Sequence, residues 1–137
     1  MSSALSIGEA ARRSGCTVAT IRFYEQAGLI REPARTGAGR RVFTRPDIER
    51  LRLIRRLRSM EFGIDAIKDL LTAMSGAASC LDVRDIAASQ LHIVRARRAE
   101  IDALERTLSE LTGNCTAICE VEPSSDCTII ADLTGAP

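Results

Sequence analysis

The chain has no Trp, one Tyr, three Phe and one His, and no long apolar run. Each shortage excludes something. With only 3% aromatic residues, a core must be built from Leu, Ile, Val and Ala, which pattern readily on helices, so the expected fold class is all-α. No segment approaches the roughly 18 consecutive apolar residues of a membrane span. The N-terminal stretch lacks a basic region followed by an apolar one, so no secretory signal is read and the expected setting is the reducing cytoplasm. There, Cys16, Cys80, Cys115, Cys119 and Cys127 point to metal binding or redox chemistry more than to structural disulfides. The single histidine, His92, falls in the middle of a helical stretch, and the Ser residues are scattered. No nucleophile–base constellation results, and the chain is not read as an enzyme.

Charge is scarce only on average. The net value of +1 conceals 13 Arg against 5 acidic residues in 1–58, a balance of +8, and a balance of −7 in 59–137. A small Arg-rich module suits a polyanion surface, because each bound phosphate releases counterions. A solvated charged face is the plainer alternative.

Local signals give a coarse organisation. Ser6 and Glu9 have capping-box spacing, so a short helix is expected from Ile7 to about Ser14, closed by Gly15. Thr17 caps a second helix through about Gln26, ended by Gly28; two short helices with a Gly turn form a helix-turn-helix pattern. Pro33, Gly37 and Gly39 among Arg31, Arg35, Arg40 and Arg41 predict a β-hairpin wing, with Arg41-Val42-Phe43 as a strand. Thr44, Pro46 and Asp47 start a further helix bearing Ile48, Leu51, Ile54 and Leu57 on one face. Another runs from roughly Ile64 to Met74. These elements make a winged helix-turn-helix domain over 1–75. A small-residue break follows, and Asp82 is expected to cap a long helix over 80–111. Residues 112–137 form a cysteine-rich loop and tail.

In the long helix Ala87, Val94, Ile101 and Leu108 recur every seven residues, with Leu104 and Leu111 three later. That is a coiled-coil seam, interrupted in its first half by Gln90 and Arg97. Little chain remains to cover such a helix, so a second copy is the expected cover. Cys80 and Cys115 flank it, and a helix between them separates their thiols by about 50 Å within one chain. In an antiparallel dimer, Cys80 of one subunit would meet Cys115, Cys119 and Cys127 of the other. A first shell of sulfur selects soft ions such as Hg(II), Cd(II), Pb(II), Cu(I) or Zn(II). Cys16, alone, reads as a small apolar residue.

The run Thr20-Ile21-Arg22-Phe23-Tyr24-Glu25, then Gly28-Leu29, Gly39-Arg40-Arg41-x-Phe43 and the long terminal helix, resembles the MerR family of transcription regulators from about Leu5 to Leu133. The resemblance implies an antiparallel coiled-coil homodimer on an inverted repeat within an over-long promoter spacer. Effector binding then bends and untwists the double-stranded DNA, which lets RNA polymerase engage both promoter elements. It also implies Thr17, Thr20 and Arg22 in the major groove, Phe23 and Tyr24 near the backbone, Arg35, Arg40 and Arg41 on the wing, and Arg55 on a phosphate. Family members often carry Tyr at the positions of Phe23 and Arg40.

For the effector, Cys80 and its separation from Cys115 resemble the branch that senses divalent mercury, cadmium, lead and zinc. Cys119-x7-Cys127 followed by Thr128-Ile129-Ile130 resembles the copper and gold branch instead. The preferred expectation is a divalent ion on Cys80 of the partner subunit, Cys115 and Cys127, with Cys119 as an additional ligand. The alternatives are Cu(I) or Au(I) on Cys119 and Cys127, a redox-sensing regulator of the same fold, and a metal buffer without a gene target.

Overall fold

A computed structural model of the chain describes residues 4–115 and 127–135. In order, the elements are α1 (Ile7–Ser14), α2 (Val18–Gln26), β1 (Ala34–Arg35), β2 (Arg41–Val42), α3 (Arg45–Ser59) and α4 (Ile64–Thr72). A π-helical turn (Ala73–Ala77), α5 (Cys80–Gly113) and α6 (Thr128–Thr134) complete them. This is the expected all-α class with a two-stranded wing. The chain divides into two units, Met1–Gln90 and Leu91–Pro137.

In the first unit the helix boundaries follow local chemistry. Ser6 Oγ accepts the Glu9 N–H at 3.2 Å, one half of a capping box. The Glu9 carboxylate turns to Arg12 and then Arg13, whose hydrogen bonds lower its pKa to about 2. Gly15 closes α1 at φ 76°, its N–H donating to the Ala11 carbonyl at 3.0 Å. Thr17 Oγ1 accepts the Thr20 N–H at 3.1 Å and starts α2. Both the Thr44 N–H and its hydroxyl donate to Asp47 Oδ2, at 2.8 and 2.9 Å, at the head of α3.

The wing pairs Ala34 with Val42 and Arg35 with Arg41 in antiparallel register. Gly37-Ala38-Gly39 turns the chain: the Gly39 N–H donates to the Thr36 carbonyl at 2.9 Å, and the Thr36 N–H to the Arg40 carbonyl at 2.8 Å. Gly39 has φ +78°, the left-handed position that a three-residue hairpin loop requires. Phe43, expected to end the second strand, makes a separate two-bond bridge with Leu5 and is buried.

The core gathers on α3. Ile48, Leu51, Ile54 and Leu57 face Ala10, Ile21, Tyr24, Leu29, Phe43, Phe62, Ile67, Leu70 and Leu71 in one buried cluster. Ile64, at the start of α4, is only half-buried. Helix α4 stops at Thr72, two residues short of expectation, because the backbone loosens into the π turn and Gly76 takes φ 91°. The start of α5 also differs. Ser79 is the cap and Asp82 its reciprocal partner: the Ser79 N–H donates to Asp82 Oδ2 at 2.7 Å, and the Asp82 N–H to Ser79 Oγ at 3.3 Å. The Ser79 backbone and side-chain donors lower the Asp82 pKa.

In the second unit, α5 continues to Gly113 and exposes Leu91, Ile93, Val94, Ile101, Leu104 and Leu108. Thr128 Oγ1 donates to the Asn114 carbonyl at 3.1 Å and docks the start of α6 there. Among the described residues no helix is long and apolar enough to cross a membrane.

A Cβ on Gly15 would come within 2.7 Å of Arg55 Nη1, at a backbone angle that L residues avoid. Gly15→Ala is expected to destabilise the chain by about 1–2 kcal/mol, mostly from the left-handed conformation. Urea unfolding of the two proteins checks this, and an unchanged midpoint would contradict it.

Candidate nucleic-acid interface and metal-ligating thiols

Helix α2 presents one exposed face, Ala19, Arg22, Phe23 and Gln26, while Ile21 and Tyr24 turn inward. The 3.6-residue period alone produces this division. Arg22 is exposed, as a base-reading guanidinium must be. Thr17 is exposed and Thr20 half-buried, and their hydroxyls lie 2.8 Å apart, which fixes both at the helix start. Phe23 is 51% exposed, a large apolar ring on a polar face. Ala19 and Gln26 escaped the sequence reading, although the same period marks them once Ile21 and Tyr24 are known to be inside.

Tyr24, expected near the DNA backbone, is only 6% exposed, and its ring belongs to the core. Burial raises its hydroxyl pKa, Cys16 adds to the rise, and Arg58 opposes it. Its ring lies 5.8 Å from that of Phe23, so it supports Phe23 from behind.

The wing arginines divide into different jobs. Arg35 is exposed and donates from Nη1 to the Gly39 carbonyl at 3.0 Å, bracing the turn. Arg40 stands exposed at the tip. Arg41, expected on the DNA with them, is half-buried: its Nε lies 3.1 Å from Glu25 Oε2, with side chains 28% and 12% exposed. Both atoms are buried and the contact lacks hydrogen-bond alignment, so it is a charge contact. It ties the wing to α2 and spends the Arg41 charge inside the protein.

On α3, Arg52 donates from Nε and Nη2 to the Arg13 carbonyl, at 3.0 and 2.8 Å, and so caps α1. Arg55 lies over Gly15. Ser14, Arg52, Arg55, Arg56 and Ser59 line a surface hollow of about 340 Å³. Arg52 is engaged with the Arg13 carbonyl, and the Ser14 and Ser59 hydroxyls donate to the Ala11 and Arg56 carbonyls, so the Arg55 and Arg56 guanidinium groups are what suit the hollow to a phosphate.

Of the thiols, Cys80 is the first residue of α5 and is exposed. Cys115 is exposed just beyond the end of α5, and Cys127 is half-buried at the start of α6. The Thr128–Asn114 hydrogen bond joins their immediate neighbours and so holds Cys115 and Cys127 in one locality. Cys119 lies outside the described residues. Among the described residues of one chain, no three Cys, His, Asp or Glu side chains converge as a metal site. Cys16 is half-buried beside the core, as expected of a small apolar residue, and His92 is exposed on α5.

Comparison with known proteins places these features. Residues 5–74 match the family described as MerR HTH family regulatory protein, and residues 48–111 match the one described as MerR, DNA binding. The chain is 36% identical over 131 residues to the HTH-type transcriptional regulator HmrR of Rhizobium leguminosarum bv. viciae, covering 95% of this chain and 98% of that one. It is 35% identical to the heavy metal-dependent transcription regulator 2 of Rhizobium meliloti, covering 94% and 86%. The crystal structure of the regulator PbrR691 from Ralstonia metallidurans CH34 in complex with lead(II) superposes with a TM-score of 0.82 at 34% identity, covering 94% and 98%.

The Arg41–Glu25 contact has a measurable consequence. Glu25→Gln and Arg41→Gln should each destabilise the head, and the double variant should lose less than their sum, with a coupling of about 0.5–3 kcal/mol. Urea unfolding of the four proteins gives the cycle; strict additivity would show that the two charges do not act as a pair.

Proposed function

The chain belongs to the MerR family of helix-turn-helix DNA-binding transcription regulators, which are not enzymes, and from that premise we propose that it is a metal-responsive activator. It works in the cytoplasm as a homodimer on an inverted repeat in promoter DNA, and distorts that DNA when a thiophilic ion binds. RNA polymerase responds to the altered DNA rather than to a protein contact.

The observation that carries the effector reading is the pairing of loop ends. Thr128 anchors α6 to the end of α5 and gathers Cys115 and Cys127, while Cys80 stands exposed at the other end of a 34-residue helix. That helix is about 50 Å long. An antiparallel partner brings its own Cys80 to the loop and completes a sulfur shell, with Cys119 as an additional donor. The exposed apolar side chains of α5 supply the surface such a partner would bury. A thiophilic ion would supply bonds joining both chains. The divalent set Hg(II), Cd(II), Pb(II) and Zn(II) is favoured because Cys80 takes part, and the lead complex of a 34%-identical relative supports it. The competing reading, Cu(I) or Au(I) on Cys119 and Cys127, leaves Cys80 without a role.

On the DNA side, Arg22 reads a base from the exposed face of α2, and Thr17 and Thr20 stand at the helix start. Phe23 lies against the sugar–phosphate backbone with Tyr24 behind it. Arg35 and Arg40 position the wing, Arg41 holds it to α2, and Arg55 takes a phosphate in the hollow over Gly15.

Two variants separate the halves of this reading. Arg22→Ala should weaken binding to the preferred inverted repeat by about 1–3 kcal/mol and relax its sequence preference. An equal loss on random DNA would make Arg22 a phosphate contact. Cys115→Ser should leave metal-free DNA binding intact and abolish induction, with thiolate-to-metal absorption lost in competitive titrations of Cu(I), Zn(II), Cd(II), Pb(II) and Hg(II). Retained induction would transfer the site to Cys119 and Cys127.

A further inference from the structure

The turn between α3 and α4 is held from outside. Met60 ends α3, and Glu61 follows at φ 63°, a left-handed conformation unusual for a residue with a side chain. A turn of this kind leaves carbonyls without helical partners. Here the Phe62 carbonyl accepts Arg58 Nη1 at 3.1 Å. The other two are taken by one side chain from far along the sequence. Gln90 Nε2 donates to the Met60 carbonyl at 3.2 Å and to the Glu61 carbonyl at 2.9 Å.

Gln90 is 8% exposed, the one buried residue on α5 among those described. It falls on the face that carries Val83 and Ile86, both packed against the core cluster of the head. Their spacing of three and then four residues is the stripe of a helix bound along one side. The first three turns of α5 are therefore part of the head, and Gln90 closes that attachment at its last residue, where the first unit ends. Cys80 lies one turn before Val83 on the same segment. The α3–α4 turn in turn follows the helix that bears Arg52 and Arg55, which contact the α1–α2 junction.

We propose that Gln90 is a positioning residue for the metal response: its two hydrogen bonds make Cys80–Gln90 and α3 one rigid piece, so that a pull on Cys80 reaches the DNA-reading helices. The inference rests on the metal-responsive reading above and names the residue through which that response passes. Gln90 touches neither ion nor DNA. Its side-chain amide suits the task because it offers two N–H donors to two neighbouring carbonyls, whereas a purely apolar residue of the same size offers none. Lys also fits, since an ammonium donates to several acceptors and the C-terminal end of α3 favours positive charge.

The test uses Gln90→Met, which keeps the volume and removes the donors, and Gln90→Lys, which restores donors. Both are made in the full-length protein. Amide hydrogen exchange in 60–64 should quicken in the Met variant and stay near wild type in the Lys variant. With Cd(II) and, in parallel, Cu(I) as probes, the wild-type effect of metal on DNA affinity should fall in the usual range of about 5–150-fold, with promoter output read alongside it. In the Met variant it should shrink to less than about threefold, with metal stoichiometry and metal-free DNA affinity within about twofold of wild type, and the Lys variant should recover it. Equal behaviour of the two variants overturns the proposal, as does a Met variant that loses metal binding and metal-free DNA binding together, which would mark Gln90 as merely structural. A wild type that answers neither ion refutes the metal-responsive reading and the coupling with it. A wild type that responds, with a Met variant that responds equally, refutes the coupling alone.

Discussion

The head is held together at the carbonyl ends of its helices. A helix leaves its last carbonyls without internal partners, and a core with so few aromatic rings has little bulk with which to fix the angles between short helices. The chain meets both needs with long side chains that reach across. Arg52 takes the end of α1, Arg50 donates to the Leu29 carbonyl after α2 at 2.8 Å, and Arg58 and Gln90 take the end of α3. Three of these four come from α3, whose inner stripe is the core. One helix thus supplies the apolar floor with one face and the ties for its neighbours with the other.

This changes the meaning of the basic head. An excess of +8 in 1–58 suggests a broad phosphate footprint, but much of that charge is occupied. Arg12 and Arg13 bind Glu9, Arg31 faces Asp47, Arg41 faces Glu25, and Arg45 pairs with Glu49. Within 1–58, among the described residues, Arg22, Arg40, Arg55 and Arg56 keep guanidinium groups without an ion pair or hydrogen bond, and these lie on α2, the wing tip and the hollow over Gly15. Their places suit the narrow set of contacts proposed above, one reading and the others positioning.

What was legible in the sequence was local. The starts of α1, α2 and α3, the left-handed Gly15 and the wing turn follow from residues within four positions of each other, and all were found where composition and spacing put them. The burial of Tyr24, the Arg41–Glu25 contact and the part Asp82 plays were not legible, because each depends on something that spacing does not carry. Tyr24 is inside because α2 packs on α3, Arg41 meets Glu25 only once the hairpin folds back, and Asp82 answers a Ser79 that looked like part of a break. The cysteine pattern suggests thiol chemistry, and the metal site proposed above rests on it. The contact that gathers Cys115 and Cys127, a Thr hydroxyl on a carbonyl 14 residues earlier, was not legible. Cys119 lies outside the described residues, so its place among the donors rests on the sequence alone.

The same distinction explains the irregular seam of α5. A strict heptad repeat would place apolar residues at Gln90 and Arg97, and their polarity looks like a weakness in a dimerisation helix. Gln90 is polar because that turn of α5 serves the head, where two carbonyls need donors and a Leu would leave them unsatisfied. Beyond Gln90 the large apolar residues Val94, Ile101, Leu104 and Leu108 stand exposed in the single chain. One helix therefore carries two consecutive patterns, the first written for its own head and the second suited to the proposed partner. The first of the two breaks, at Gln90, marks the residue at which one obligation gives way to the other; Arg97 lies beyond it and is not explained by the head.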